Sequence, residues 1–94
     1  MKSLFLVIFL ASSCSSGPVQ LTEKARELEV YATKPSECKV TGRFVGKDEL
    51  GSKELALNHA LNQAAEVGST GVFVNQEVPN GKMMEVHVTA YQCD

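Results

Sequence analysis

Three cysteines and two histidines carry most of the reactive chemistry in this chain: Cys14, Cys38, Cys93, His59 and His87. Thiolates and imidazoles are the usual zinc ligands, but structural zinc takes four of them at close spacing, and no His-x₃-His or Cys-x₂-Cys pattern occurs. His59 falls about 160° from the Leu57–Leu61 stripe of the helix expected around it, toward solvent. His87 lies on the polar side of its strand beside Glu85. The expectation is two solvated histidines and no metal; a site built from Cys38, Cys93 and a histidine requires that the cysteines stay unpaired. No Gly-x-Ser-x-Gly elbow and no phosphate loop is present, and the carboxylates (Glu54, Glu66, Glu77 and Glu85 among them) are scattered as solvated side chains usually are. The reading is of a chain that is not an enzyme, with no catalytic residues and no cofactor. A domain this small also leaves little room for a water-excluding pocket of ~300 Å³ or more.

Cys14 has a distinctive neighbourhood. Met1-Lys2-Ser3 is a positive start, Leu4 to Ala11 an unbroken apolar run, and Ser12-Ser13 precede the cysteine. That is the make-up of a secretory signal, expected at residues 1–13. Small residues running into a cysteine look like a bacterial lipobox, in which the thiol takes a diacylglyceryl group and the new N-terminus a further acyl chain such as palmitate. The residue three before the cysteine is Ala11, with Leu10 one place further out, and Ala11-Ser12-Ser13 also suits ordinary signal peptidase cutting at the same bond. On the lipid reading, each buried methylene contributes ~0.8 kcal/mol and several chains give stable anchoring. Residues 14–25 are then the lipidated cysteine and a flexible tether, small and polar around Ser15-Ser16-Gly17-Pro18. Ser15 rather than Asp after the cysteine favours the outer membrane, by resemblance to lipoproteins of enteric bacteria.

The elements that must position the remaining residues follow from periodicity. Glu27 to Thr33 alternates polar and apolar and predicts a strand ended by Lys34-Pro35-Ser36. Glu37 to Gly46 resumes the alternation, with Cys38, Val40, Gly42 and Phe44 on one side, and Gly46-Lys47-Asp48 is a turn. Ser52 to Val67 switches period: Leu57, Ala60, Leu61 and Ala64 fall at i, i+3, i+4 and i+7, with Ser52 as N-cap and Gly68 as stop. Gly71 to Val78 and Lys82 to Cys93 are two further strands around a Pro79-Asn80-Gly81 turn. The fold class expected for residues 26–94 is α+β, ββαββ, with one helix packed on a mainly antiparallel four-stranded sheet.

Three segments carry a resemblance: Cys38-Lys39-Val40-Thr41-Gly42, Ala64-Ala65-Glu66-Val67-Gly68-Ser69-Thr70-Gly71-Val72, and Thr89-Ala90-Tyr91-Gln92-Cys93. Together they resemble the small bacterial lipoproteins of domain-of-unknown-function family 4156, similar in turn to the RcsF-like envelope sensor domain. Residues 26–93 are covered. The match departs at Ser69-Thr70, where the family usually has Ala-Asn, and the sensor domain carries two disulfides where this chain has two cysteines left after Cys14. The resemblance implies a Cys38–Cys93 pair. Compartment points the same way, since an even pair of cysteines in an exported chain reads as a disulfide; closing a loop of this length is worth ~4 kcal/mol in the chain-entropy model. One mismatch needs resolving. Cys38 has the parity of Val40 and Phe44, whereas Cys93 has the parity opposite to Val86 and Val88, so a bulge near Gln92 or a bond past the strand's end is required.

Charge bounds the partners. Nine basic and eleven acidic residues give −2 over 94 residues. Loss of Lys2 with the leader leaves eight basic against eleven acidic, or −3. No basic face for nucleic acid is expected. The expected function is that of an envelope lipoprotein of undefined biochemical activity, anchored in the outer membrane through Cys14 and facing the periplasm, acting as a protein-interaction or envelope-sensing module on another envelope protein. The alternative is a small ligand- or metal-binding periplasmic module. With the helix's expected stripe covering one sheet face, the other carries Tyr31, Arg43, Phe73, Glu85, His87 and Tyr91, and Phe73, His87 and Tyr91 are the candidate binding residues.

Overall fold

The computed structural model describes residues 20–93. The expected signal peptide at 1–13, the expected lipidation at Cys14 and residues 14–19 of the expected tether lie outside them. Six elements follow in order: α1 (Glu23–Arg26), β1 (Glu29–Tyr31), β2 (Lys39–Asp48), α2 (Lys53–Glu66), β3 (Gly71–Asn80) and β4 (Met83–Gln92). The fold is α+β, and the strands form one four-stranded sheet in the order β1-β3-β4-β2. β4 runs antiparallel to both neighbours, and β1 runs parallel to β3. The expected single-helix ββαββ string is therefore replaced by an order with a second helix in front, and the sheet is mixed.

α2 starts and stops where its sequence says it must. The Ser52 side chain accepts from the Leu55 N–H at 3.2 Å, and Asp48 Oδ2 accepts from the Ser52 N–H at 2.8 Å. At the other end Gly68 takes φ 80°, its N–H donates to the Ala65 carbonyl, and the Ser69 N–H donates to that of Ala64. This is a Schellman stop, which a side chain with a Cβ would disfavour.

The buried stripe of α2 is Ala56, Ala60 and Ala64, one turn apart, flanked by Leu61 and Ala65. It packs with Val72 of β3 and Val86, Val88 and Ala90 of β4. The stripe is rotated by about one residue from the expected one: Ala56 is sealed, and Leu57 is only partly buried. Small residues on both sides explain the rotation. A Cβ built on Gly46 of β2 would overlap the Ala56 carbonyl oxygen and lie 2.6 Å from the Ala60 amide nitrogen. The helix backbone therefore rests directly on the strand, and Ala56, not a leucine, fits between them.

Residues 20–25, expected as part of the flexible tether, belong to the domain. Thr22 caps α1 by accepting from the Ala25 N–H, and Ala25 is 1% exposed. The Asn62 side chain of α2 accepts from the Thr22 N–H at 3.0 Å and donates to the Gln20 carbonyl at 2.8 Å. Leu21 and Leu28 pack against the same core.

The ends of the strands also differ from expectation. β2 runs on through the expected turn to Asp48. Pro79 and Asn80 pair with Met84 and Met83, so the turn is the two-residue Gly81-Lys82. β1 reaches only residues 71–73 of β3, leaving Pro79 on a stretch of free edge where strands tolerate proline.

Candidate functional site

The face of the sheet away from α2 holds the candidate residues, and register fixes their rows. Tyr31, Phe73, Thr89 and Arg43 stand side by side across β1, β3, β4 and β2. Gly71, Tyr91 and Val40 form the row nearer the chain's end, and Gln76, His87 and Val45 the row on the other side. All six residues expected on this face are on it.

One end of the face is closed. β1 ends on one edge of the sheet and β2 begins on the opposite edge, so residues 32–38 cross from edge to edge. The Lys34 Nζ stands 5.8 Å from the centroid of the Phe73 ring, which puts the crossing on the face away from α2. At its far end a disulfide joins Cys38 to Cys93, with Cα atoms 4.6 Å apart. The parity mismatch is resolved on β2, not near Gln92. Thr41 is an extra residue between Val40, opposite Tyr91, and Gly42, opposite Ala90. This bulge moves Val40 and Cys38 to the same face as Tyr91 and Cys93, and both cysteines lie just past the ends of their strands.

Tyr31 is folded into this corner. Its ring meets that of Tyr91 edge-on at 6.3 Å, and its hydroxyl lies 3.2 Å from Cys93 Sγ, a disulfide sulfur that can only accept. Thr70 completes the arrangement. Its Oγ1 accepts from the Cys93 N–H at 2.8 Å, and its own N–H donates to the Tyr91 carbonyl. The Thr41 and Ser69 hydroxyls meet 2.7 Å apart beside it. Tyr91 is consequently 7% exposed. Of the three candidate binding residues, it is a packed structural side chain, unavailable to a partner; Phe73 and His87 remain half-exposed.

The other end of the face stays open among the described residues. Arg43 and Lys47 are exposed along the β2 edge, with Val45 between them. His87 Nε2 lies 3.3 Å from Glu85 Oε1, as expected for neighbours on the polar side of one strand. Asn75, at a second bulge in β3, donates to Thr89 Oγ1 at 2.8 Å. Among the described residues no three His, Cys, Asp or Glu side chains gather as metal ligands.

His59 departs from the sequence reading. Its Nδ1 accepts from the Lys47 N–H at 3.0 Å, and Gln63 one turn on donates to the Val45 carbonyl at 2.9 Å. Both side chains stitch α2 to β2, so His59 is not simply solvated. A cleft of about 420 Å³, open to solvent, lies between α1 and the end of α2, lined by Lys24, Leu28, Glu66 and Ser69 among others.

Compared with known proteins, the chain matches no family model, no curated protein and no solved structure. No described helix is long and apolar enough to cross a membrane.

Proposed function

We propose that this chain is an envelope lipoprotein, cleaved after residue 13, acylated at Cys14 and held at the periplasmic side of the bacterial outer membrane, where its domain binds another envelope protein without catalysing a reaction. The proposal keeps the resemblance to family 4156 as its context. The observation that carries the binding reading is the open half of the sheet face: Arg43, Val45, Phe73 and His87 lie together on one side of the sheet, with no described element packed across them beyond Lys34. Arginine and aromatic groups are enriched at interface centres. The test is in-cell crosslinking of the anchored protein with Arg43→Glu, Phe73→Glu and His87→Glu. Variants that fold normally and lose one crosslinked partner support the reading. Variants that fold normally and capture every wild-type partner overturn it.

The cleft beside α1 supports a second reading, a small-ligand module. Its apolar floor of Leu28 and Ala65 and its charged rim of Lys24, Glu27 and Glu66 suit a small amphipathic molecule. A rise in melting temperature with a periplasmic small-molecule extract, lost in Lys24→Glu, separates this reading from the first.

A further inference from the structure

The N-terminal chain enters the domain at a fixed point. Asn62 holds it twice, through the Gln20 carbonyl and the Thr22 N–H. Asn62 is two residues from both Ala60 and Ala64, about 200° around the helix from each in opposite senses, so it points away from the sheet on which those alanines rest. α1 lies alongside, with Ala25 sealed into the core. Gln20 therefore lies in the helix layer, on the opposite side of the molecule from the open sheet face.

Six residue steps separate Cys14 from Gln20. Relaxed, such a segment spans ~13 Å; fully stretched, it reaches ~20 Å. Turning the open sheet face toward the anchor would lift Gln20 by roughly the diameter of α2 plus the helix-to-sheet separation, ~20 Å. That orientation needs the tether at its limit, whereas the helix-down orientation leaves it relaxed. Charge does not decide the matter, because Glu23 and the C-cap Glu27 balance Lys24 and Arg26 at α1.

Resting on the anchored reading above, we infer that α1 and the outer side of α2 face the lipid headgroups, and that the Asn62 clamp makes the open half of the sheet point into the periplasm. The short tether and the clamp together thus select which surface a partner can reach.

The test couples the chain beginning at Cys14 to a maleimide lipid in phosphatidylcholine nanodiscs. Cys38 and Cys93 are paired, so Cys14 is the reactive thiol. A gadolinium-chelating headgroup lipid then broadens amide NMR signals near the surface. The expected result is several-fold stronger broadening at Glu23, Arg26 and Asn62 than at Arg43, Val45 and His87. Equal or reversed broadening overturns the inference. Asn62→Ala, with an otherwise folded spectrum, should weaken the contrast; an unchanged contrast overturns the role of the clamp. Lipidation is read separately, from the intact mass of the protein isolated from cell membranes. A soluble, unacylated protein there sinks the anchored reading while leaving the orientation measurement on the coupled chain valid.

Discussion

The Tyr31 ring occupies the space into which a side chain at residue 71 would project. A Cβ built on Gly71 would come 2.6 Å from both Cε2 and Cζ of Tyr31, and 2.6 Å from the Glu29 carbonyl oxygen. The glycine lets the tyrosine lie flat across β3, reach Tyr91 and bring its hydroxyl to the disulfide. Gly71→Ala should therefore destabilise the domain by about 2–3 kcal/mol, as overpacking against a fixed backbone does. Tyr31→Ala removes the ring but not the carbonyl, so the double variant should be less destabilised than the sum of the single ones. Urea midpoints of the three variants check this; strict additivity would show that ring and glycine are not coupled.

Gly46 makes a tighter demand. Both atoms that a Cβ would meet there, the Ala56 oxygen and the Ala60 nitrogen, are helix backbone and cannot rotate away. At Gly42 the nearest obstacle, at 3.0 Å, is the tip of the Phe44 side chain, which can. Gly46→Ala should cost about 3 kcal/mol or more, or leave no folded protein, while Gly42→Ala costs about 1 kcal/mol. Thermal melts of the pair read the contrast, and equal losses at the two sites would contradict the close helix–strand approach.

The disulfide closes a loop with a sequence separation of 55 residues. In the chain-entropy model its loss is worth ~4 kcal/mol. At ~4–8 °C per kcal/mol for a domain of this size, reduction should lower the melting temperature by about 15 °C or more. The pairing also predicts that both thiols resist labelling until a reductant is added. Labelling of either cysteine in the native, unreduced protein would sink it.

Much of this architecture is legible in the residues, and the gaps have physical causes. α2 is readable because Ser52, the alanine spacing and Gly68 mark its start, face and stop independently. β4 is readable because Val86, Val88 and Ala90 alternate with polar groups. α1 was hidden by its length: four residues give too few turns to stand out, although Leu21, Ala25 and Leu28 already fall at i, i+4 and i+7. The crossing of residues 32–38 was hidden because β1 joins the far edge in parallel, a pairing that no local pattern encodes. Alternation alone places Tyr91 on an open face; the crossing makes it a packed aromatic. The role of His59 is not encoded locally for a similar reason: its acceptor role depends on how closely β2 approaches α2, which Gly46 sets from thirteen residues away.

His59 supplies a tautomer prediction. Nδ1 accepts the Lys47 N–H and so carries the lone pair, leaving the proton on Nε2. Nitrogen-15 shifts of the imidazole should report the Nε2–H form. His59→Asn, which keeps an acceptor near the same place, should retain slow exchange of the Lys47 amide. His59→Ala should lose it, together with about 1 kcal/mol of stability. Fast Lys47 exchange in the wild type would contradict the bond.

The bulge at Thr41 yields the sharpest test of how the two cysteines meet. From Ala90 to Cys93 is three residues, and from Gly42 to Cys38 is four. Gly42 and Ala90 are partners, so an unbulged strand would carry the two sulfurs to opposite faces. The single extra residue absorbs the difference. Deleting Thr41 makes the two counts equal and removes the need for a bulge. The shortened chain should keep Val40 opposite Tyr91, form the same disulfide, and differ in stability only by the lost Thr41–Ser69 hydroxyl contact, about 1 kcal/mol. Thiol titration of the unreduced deletion variant, with a cross-strand NOE between residues 40 and 91, measures both points. A folded variant with two free thiols would show that something other than the bulge brings Cys38 to Cys93.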